Sequence, residues 1–232
     1  MKNTEDVNKK LIYIIISSKS KGVRRLKIEL LFITPNAEKL IETAGRTSYL
    51  SFDKQGEGSE KKFVRMLIRR GHFSVLEHTS ATFRISGVSR AFTHQLVRHR
   101  LCSFTQQSQR YVDETNFRYV EPSSIKDKAE AHKIFSEFIE YARKTYAKLV
   151  ELNIPKEDAR YVLPNAVESQ IVVTANLREW RHIIELRGSP NAQWEIRRVA
   201  IEILKILKKH VPTVFEDFEI DEEKSIIRRV KI

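Results

Sequence analysis

Five arginines fall between Arg90 and Arg118, and three of them, Arg98, Arg100 and Arg110, surround a polar run from Ser103 to Gln109. Guanidinium groups bind phosphate through paired N–H donors, and serine hydroxyls or loop N–H groups complete such a site. On a helix, Gln95 and Arg98 share a face, whereas Arg98 and Arg100 lie about 200° apart around the axis. The two arginines serve one ligand group only if the helix ends there; otherwise the helix end and the loop hold two different anionic ligands. A solvated basic helix end, where the helix dipole favours cations, is the bland alternative for the same residues.

Other residues offer less. The segment from Gly71-His72 to Glu77-His78 holds two histidines and a carboxylate, but not at His-Glu-x-x-His spacing, and no metal is expected. Arg178, His182 and Glu185 share one helical face, either a solvated salt-bridged surface or a pocket wall. Arg187 falls at a helix end. Cys102 has basic neighbours that would favour a thiolate, yet a small buried hydrophobe is the simpler reading. The chain carries no Gly-x-Gly-x-x-Gly, no Walker sequence and no Gly-x-Ser-x-Gly elbow, so neither a dinucleotide fold nor a serine hydrolase is supported.

The elements that would position these residues follow from pattern. Leu26 to Ile33 reads as a buried strand ending at Thr34-Pro35, with Thr34 capping a helix whose face is Ala37, Leu40, Ile41 and Ala44. A loop from Asp53 to Ser59 precedes a second helix with Phe63, Met66 and Leu67 inward, stopped by Gly71. Thr79 to Ser86 alternates as a half-buried strand with Ala81, Phe83 and Ile85 on one face. Ser89 to about His99 is predicted as a helix, and Ser103 to Tyr111 as a loop leading to a short strand. Asp127 to Val150 forms a long amphipathic helix carrying Ile134, Phe138, Tyr141, Ala142 and Leu149. Pro155 starts another helix, limited by Pro164. Gln170 to Thr174 is a strand. Asn176 and Glu179 resemble a capping box for a helix from Leu177 to Arg187, ended by Gly188. Ser189-Pro190 opens the last long helix, with Ala192, Ile196, Val199, Ile203 and Leu207 in a stripe. The sum is a single α+β domain.

Composition sets outer bounds. The 232 residues are 41% hydrophobic with a formal charge of +12, enough for one large core. One cysteine allows no internal disulfide, which fits a reducing, cytoplasmic setting. No apolar run approaches a membrane span; Leu11 to Ile16 reads as a strand or a loose leader. The isoelectric point near 9.7 keeps a nucleic-acid-binding module as a rival, although the aromatics sit mostly at core spacings rather than among Lys and Arg on a strand face.

The run Arg98-His99-Arg100, then seven residues, then Ser108, continuing to Arg110 and Tyr111, closely resembles the signature of flavin-dependent thymidylate synthases. Gly71-His72 through Glu77-His78, Ala159-Arg160, Leu163-Pro164, Asn176 to Arg178, Leu186-Arg187 and Ala192 to Glu195 match that family in order. The resemblance covers roughly residues 26 to 218, leaving residues 1–25 as an N-terminal extension of unknown role before a family domain over 26–232. It implies that family's fold, with a central, mostly antiparallel sheet and long packed helices. It also implies its reaction: methylation of dUMP to dTMP with 5,10-methylenetetrahydrofolate as carbon donor and FAD, reduced by NADPH, as hydride donor. Carried over by motif, the nucleotide meets Gln95, Leu96, Val97 and Arg98, then Gln106, Gln107, Ser108, Gln109 and Arg110, then Arg160 and Arg187. FAD meets Ser74, Arg98, His99, Arg100, Gln106, Asn176, Leu177, Arg178 and His182. Arg187 fits the catalytic arginine that favours uracil ionised at N3, and His72 and Tyr111 border flavin and folate. Gln106 stands where other members carry Glu, and Asn191 where some carry His. Members are homotetramers with sites built from several subunits, and no nucleic acid or membrane partner is implied. A non-catalytic nucleotide-binding homologue is the second rival; intact Arg98, Ser108, Arg110, Arg160 and Arg187 argue against it.

Overall fold

In the computed structural model, residues 13–15 and 26–231 are described. The element order is β1 (Tyr13–Ile15), β2 (Lys27–Ile33), α1 (Ala37–Thr47), α2 (Ser59–Arg70), β3 (Ser80–Ser89), α3 (Arg90–Leu96) and β4 (Cys102–Gln106). Then come α4 (Ser123–Lys126), α5 (Ala129–Glu151), α6 (Lys156–Ala159), β5 (Glu168–Asn176), α7 (Leu177–Arg187), α8 (Trp194–His210), β6 (Phe218–Asp221) and β7 (Ile226–Arg229). The first five strands form one sheet in the order β1-β2-β3-β5-β4, every neighbouring pair antiparallel. The α+β expectation with an antiparallel sheet holds. Of the Leu11 to Ile16 stretch, Tyr13–Ile15 is a strand paired with β2; the remainder lies outside the described residues.

Alternation along β3 sends Ala81, Phe83 and Ile85 into the main core, while Arg84 faces outward. Helices α7 and α8 cover the inner face. Trp180 stands edge-on to Phe83 at 5.0 Å and donates its Nε1–H to the Ala81 carbonyl at 3.0 Å, so its one polar atom is satisfied inside the core. Burying each such large side chain stabilises the fold by roughly 1.5–3 kcal/mol. The α7 boundaries agree with the sequence reading, and Asn176 Oδ1 accepts from the Glu179 N–H at 2.8 Å as a cap should.

Four expectations fail for identifiable reasons. Thr34 does not cap α1: its hydroxyl bonds the Ser80 backbone and ties β2 to β3, while Asn36 in the left-handed region precedes the helix. Ser103 to Gln106 is not loop but most of the edge strand β4; Cys102 and Phe104 pack on the core while Ser103 and Thr105 face out. On α5 the buried residues are Ile139, Ala142 and Tyr146, and Ile134, Phe138 and Tyr141 remain 62%, 52% and 69% exposed. The last long helix starts at Trp194, capped by Gln193, rather than at Ser189-Pro190.

The C-terminal β6–β7 hairpin locks the end of α7. Arg181 makes a two-toothed ion pair with Asp217 at 2.6 Å, both buried, and Arg229 Nε adds a bond to Asp217 Oδ2 at 3.0 Å. Gly188 ends α7 with ordinary right-handed dihedrals. The glycine is required by close approach, because an added Cβ would lie 2.5 Å from Ile227 Cδ1 and 2.6 Å from the Ile184 carbonyl. Gly188→Ala is therefore expected to destabilise the protein by about 1–3 kcal/mol, read as a lowered urea midpoint.

Candidate active site

The signature segment is set by how β3 hands over to α3. A register shift between Ser86 and Val88, with Gly87 at φ 76, turns both Val88 and Ser89 inward. Ser89 then caps α3, its hydroxyl accepting from the Phe92 N–H at 3.0 Å. That hydroxyl also donates to Glu195 Oε2 at 2.5 Å, and the Ser89 N–H donates to Glu195 Oε1 at 2.8 Å. The buried carboxylate of α8 thus fixes where α3 begins. The helix ends at Leu96, three residues short of the predicted end. Beyond it Arg98 and Arg100 are exposed and His99 is only 4% exposed. Turn geometry, not helical rotation, sets the directions of the triplet: both arginines face solvent and the histidine between them faces the core.

His99 is bonded through both ring nitrogens. Nδ1 lies 3.2 Å from Glu179 Oε1, and Nε2 accepts from Arg187 Nε at 2.9 Å. An acceptor role at Nε2 places the proton of the neutral ring on Nδ1, where it donates to Glu179. Burial, the Arg187 charge and then His182 hold the His99 pKa down at about 4. Burial also raises the Glu179 carboxyl above its ordinary value and lowers the Arg187 guanidinium below its own. Arg187 donates a second bond to the Gln95 carbonyl at 3.3 Å. Among the described residues no carboxylate lies within ion-pair distance of Arg187. Cys102, three residues past His99, has its thiol pushed up to about 12, first by burial and then by Glu179, so it is no thiolate.

His99, Glu179 and His182 are the one trio among the described residues whose ligand atoms come within 4.8 Å of one another. A cation bridging Glu179 and His99 would take Nδ1, force the ring proton to Nε2 and set it against the Arg187 N–H. Proton counting therefore disfavours an ion while Arg187 holds this bond. The histidines at positions 72 and 78 are exposed, and Glu77 pairs instead with Arg178 at 2.5 Å.

The rest of the predicted set divides between two places. Gln95, Val97, Arg98, His99, Arg100, His182 and Arg187 gather where α3 ends against α7. His182 meets the His99 ring edge-on at 5.5 Å, and Leu96 is buried beneath. Asn176, Leu177 and Arg178 begin α7, and Arg178 ties it to the 3-10 turn Phe73–His78 that carries exposed Ser74. Leu177 is fully buried, so its side chain is core. The second place lies past the far end of β4, which carries the chain roughly 13 Å from Cys102 to Gln106. There Gln106 Nε2 donates to Thr93 Oγ1 at 2.9 Å, Gln107 Nε2 to Glu114 at 3.1 Å, and Ser108 Oγ accepts from the Arg110 N–H at 3.2 Å. Arg110 pairs with Glu157 at 2.7 Å, and Arg160 bonds the Glu157 carbonyl at 3.0 Å. Gln109 is buried and Tyr111 is 76% exposed. An open cleft of about 450 Å³ borders Gln106, Gln107, Val112, Arg84 and Gln170 on the outer sheet face. No hydrogen bond among the described residues joins Arg187 to Ser108, Arg110 or Arg160.

Sequence reasoning gave no site role to four residues that shape this geometry. Glu179 reads in the sequence as part of a helix cap; its spacing of three to His182 is the signal that it shares a wall with the histidines. Glu157 and Glu195 carry no local signal, because their partners Arg110 and Ser89 are distant in sequence. Arg90 is half-buried, and its pKa is lowered first by burial and then by Arg160, which brings a further cation to the second place.

The chain is an α+β protein with an antiparallel sheet, and arginines stand beyond both ends of its edge strand β4, a donor chemistry that suits anionic groups. The family model described as "Thymidylate synthase complementing protein" matches residues 29–213. A flavin-dependent thymidylate synthase of Geobacter sulfurreducens is 42% identical over 200 residues, covering 83% of this chain and 86% of the relative. One from Mycolicibacterium vanbaalenii is 45% identical over 198 residues, 78% of this chain and 79% of the relative. The Mycobacterium tuberculosis protein of the same name is 43% identical over 198 residues, with the same coverage. The chain belongs to the flavin-dependent thymidylate synthase family, and it is an enzyme of the methyltransferase class.

The neutral, buried state of His99 links stability to pH. Between the unfolded value of 6.5 and the folded value of about 4, the unfolded chain binds a proton that the native chain does not. The stability is complete above the unfolded pKa and is lost as pH falls toward the folded one, by about 2 kcal/mol from pH 7 to pH 5. Urea unfolding at the two pH values, compared with His99→Gln, is expected to show the variant losing less over that range by this amount.

Proposed function

We propose that this chain methylates dUMP to dTMP, taking the carbon from 5,10-methylenetetrahydrofolate and using FAD reduced by NADPH, as a cytoplasmic homotetramer. The observation that carries the reading is the guanidinium of Arg187, half-buried and held by two neutral acceptors. Such a cation retains its full charge for a ligand. Uracil C5 is a weak nucleophile until negative charge builds on the ring, and a preorganised cation beside N3 stabilises that charge without reorganising. Ser108, Arg110 and Arg160, with Arg90 behind them, suit a phosphate; Arg110 would exchange Glu157 for it. Holding the phosphate fixes the ring against its reaction partners.

The residues at the α3–α7 end fit a flavin dinucleotide by their donor chemistry. Exposed Arg98, Arg100 and Arg178 match a pyrophosphate, Ser74 and Asn176 offer hydrogen bonds, and His182 presents a ring. When bound, reduced flavin supplies the hydride; His72 and Tyr111, both exposed, are free to border flavin and folate.

Two observations support sites completed by a second copy. Arg187 and the Ser108–Arg110–Arg160 set lie toward opposite ends of β4. In addition, α5 carries an uncovered apolar row, Ile134, Phe138 and Tyr141, of the kind an interface buries. No helix among the described residues is long and apolar enough to cross a membrane.

The purified protein is expected to show oxidised flavin bands that NADPH bleaches and that methylenetetrahydrofolate with dUMP restores; a colourless protein that takes up no added FAD sinks the reading. Arg187→Ala is expected to keep FAD and lose dTMP formation by a factor of 100 or more, on the order of 3 kcal/mol in the barrier. A mixture of Arg187→Ala and Arg110→Ala chains, unfolded and refolded together, is expected to regain a quarter or so of wild-type turnover, as shared sites dictate. No recovery would mean that each chain builds its site alone.

A further inference from the structure

The motif resemblance assigns His99 to flavin and gives Glu179 no role. The geometry points to a different use: we propose that Glu179 and His99 are positioning residues that aim the Arg187 guanidinium, acting as a two-link hydrogen-bonded strut. The inference rests on the reading of Arg187 as the cation that faces the nucleotide.

The proton positions on His99 are fixed by its two partners. An imidazole can receive the Arg187 Nε–H only through a nitrogen that carries no proton, and that nitrogen is Nε2, at 2.9 Å. Its proton must then sit on Nδ1, which needs an acceptor in a nearly water-free place; His99 is 4% exposed and Glu179 6%. Glu179 Oε1 is that acceptor, at 3.2 Å. Without the carboxylate the other tautomer is free to form, and its Nε2–H would oppose the arginine donor. The carboxylate thus chooses the tautomer and the tautomer holds the arginine.

The main chain of Glu179 is fixed at the start of α7. Its N–H is capped by Asn176 Oδ1 at 2.8 Å, and it stands one turn of α7 before His182. Arg187 cannot simply pair with Glu179 and be neutralised, because the His99 ring stands between them. With Nε on His99 and one Nη2 hydrogen on the Gln95 carbonyl, both Nη1 hydrogens and the second on Nη2 stay available to a ligand. The arrangement aims a full positive charge while keeping its counter-charge one ring away, the role carboxylates play behind histidines in other polar sites.

A double-mutant cycle on the full-length, FAD-loaded protein tests this, using Glu179→Leu, which removes the acceptor for His99 Nδ1–H, Arg187→Ala and their combination. The readouts are dTMP turnover, dUMP affinity by calorimetry and the flavin spectrum. Glu179→Leu is expected to lower kcat 10- to 100-fold, to weaken dUMP binding 3- to 10-fold and to leave bound flavin unchanged, whereas Glu179→Gln, whose amide oxygen still accepts, is expected to restore most of the loss. In the Arg187→Ala background the Glu179→Leu change is expected to alter dUMP affinity less than 2-fold, since the strut then has nothing to hold. Equal losses in both backgrounds would show a merely structural role and overturn the proposal, as would unchanged turnover in Glu179→Leu. As a second arm, His99→Gln, whose side-chain oxygen can still accept from Arg187, is expected to keep at least 5-fold more turnover than His99→Leu; equal loss overturns the acceptor role. If Arg187→Ala itself turns over normally, the reading of Arg187 has failed, and that result is distinct from an Arg187→Ala chain that is inactive beside an unaffected Glu179→Leu.

Discussion

The constraint on which this molecule turns is a half-buried positive charge that is not allowed a carboxylate of its own. Taking a guanidinium partly out of water costs free energy, and the usual remedy is an adjacent Asp or Glu. Arg187 has instead a neutral imidazole and a backbone carbonyl. Both are good acceptors and neither cancels the charge. The fold must then supply rigidity, because a long side chain with only neutral partners escapes to solvent unless its base and both acceptors are fixed. Trp180 and Ile184 anchor α7 in the core, Gly188 lets Ile227 close on its last turn, and the Arg181–Asp217 pair clamps the hairpin against it. The contrast between the two arginines of α7 is instructive. Arg181, fully paired and buried, is structural. Arg187, six residues on, has a neutral imidazole and a backbone carbonyl in place of a carboxylate.

A second constraint comes from strand register. β4 is an edge strand that runs antiparallel to β5, with Cys102 opposite Ala175 and Gln106 opposite Ile171. The turn holding His99 and the loop holding Ser108 and Arg110 are therefore kept apart by the rise of the strand, roughly 13 Å from Cys102 to Gln106. Under the proposed function, either one ligand spans such a distance or another copy of the chain supplies the second end. The uncovered row on α5 makes the second option physically economical, since three large apolar side chains that water now touches would be buried by association.

Much of this was legible in the sequence wherever one residue pattern had one physical meaning. Alternation gave β3, the Asn176–Glu179 cap gave the start of α7, and Gly71 gave the end of α2. Legibility failed where a residue had two uses. Ser103 and Thr105 are polar because they sit on the open face of an edge strand, but polarity alone reads as loop. Ile134, Phe138 and Tyr141 obey helical spacing as well as Ile139, Ala142 and Tyr146 do, and periodicity cannot say which stripe the same chain covers. Gly188 ends a helix as expected but for a different cause: contact with Ile227, 39 residues later in sequence. At the site, arginines were easy to find because their chemistry is single-minded. Glu179 and Glu195 were not, because a glutamate in the first turn of a helix is already explained by the dipole.

The signature triplet shows how local backbone decides chemistry. Had α3 continued through position 100, Arg98 and Arg100 would diverge by about 200° around the axis, and His99 would point between them along the surface. The helix stops at Leu96 instead, because the Val97 to Leu101 segment must turn to feed β4 back along β5. In that turn the side chains alternate out, in, out. The two charged residues stay in water, available to an anionic ligand, and the one residue of the three that is neutral at physiological pH enters the interior. Histidine is suited to the inward position because it is neutral there and bonds at both ends. Lysine or arginine would bring a charge beside Arg187, leucine would leave Glu179 and the Arg187 Nε–H without partners, and only an imidazole or a longer amide spans from one to the other. The alternation of charge in the sequence, cation–neutral–cation, is thus the alternation of exposure in the fold.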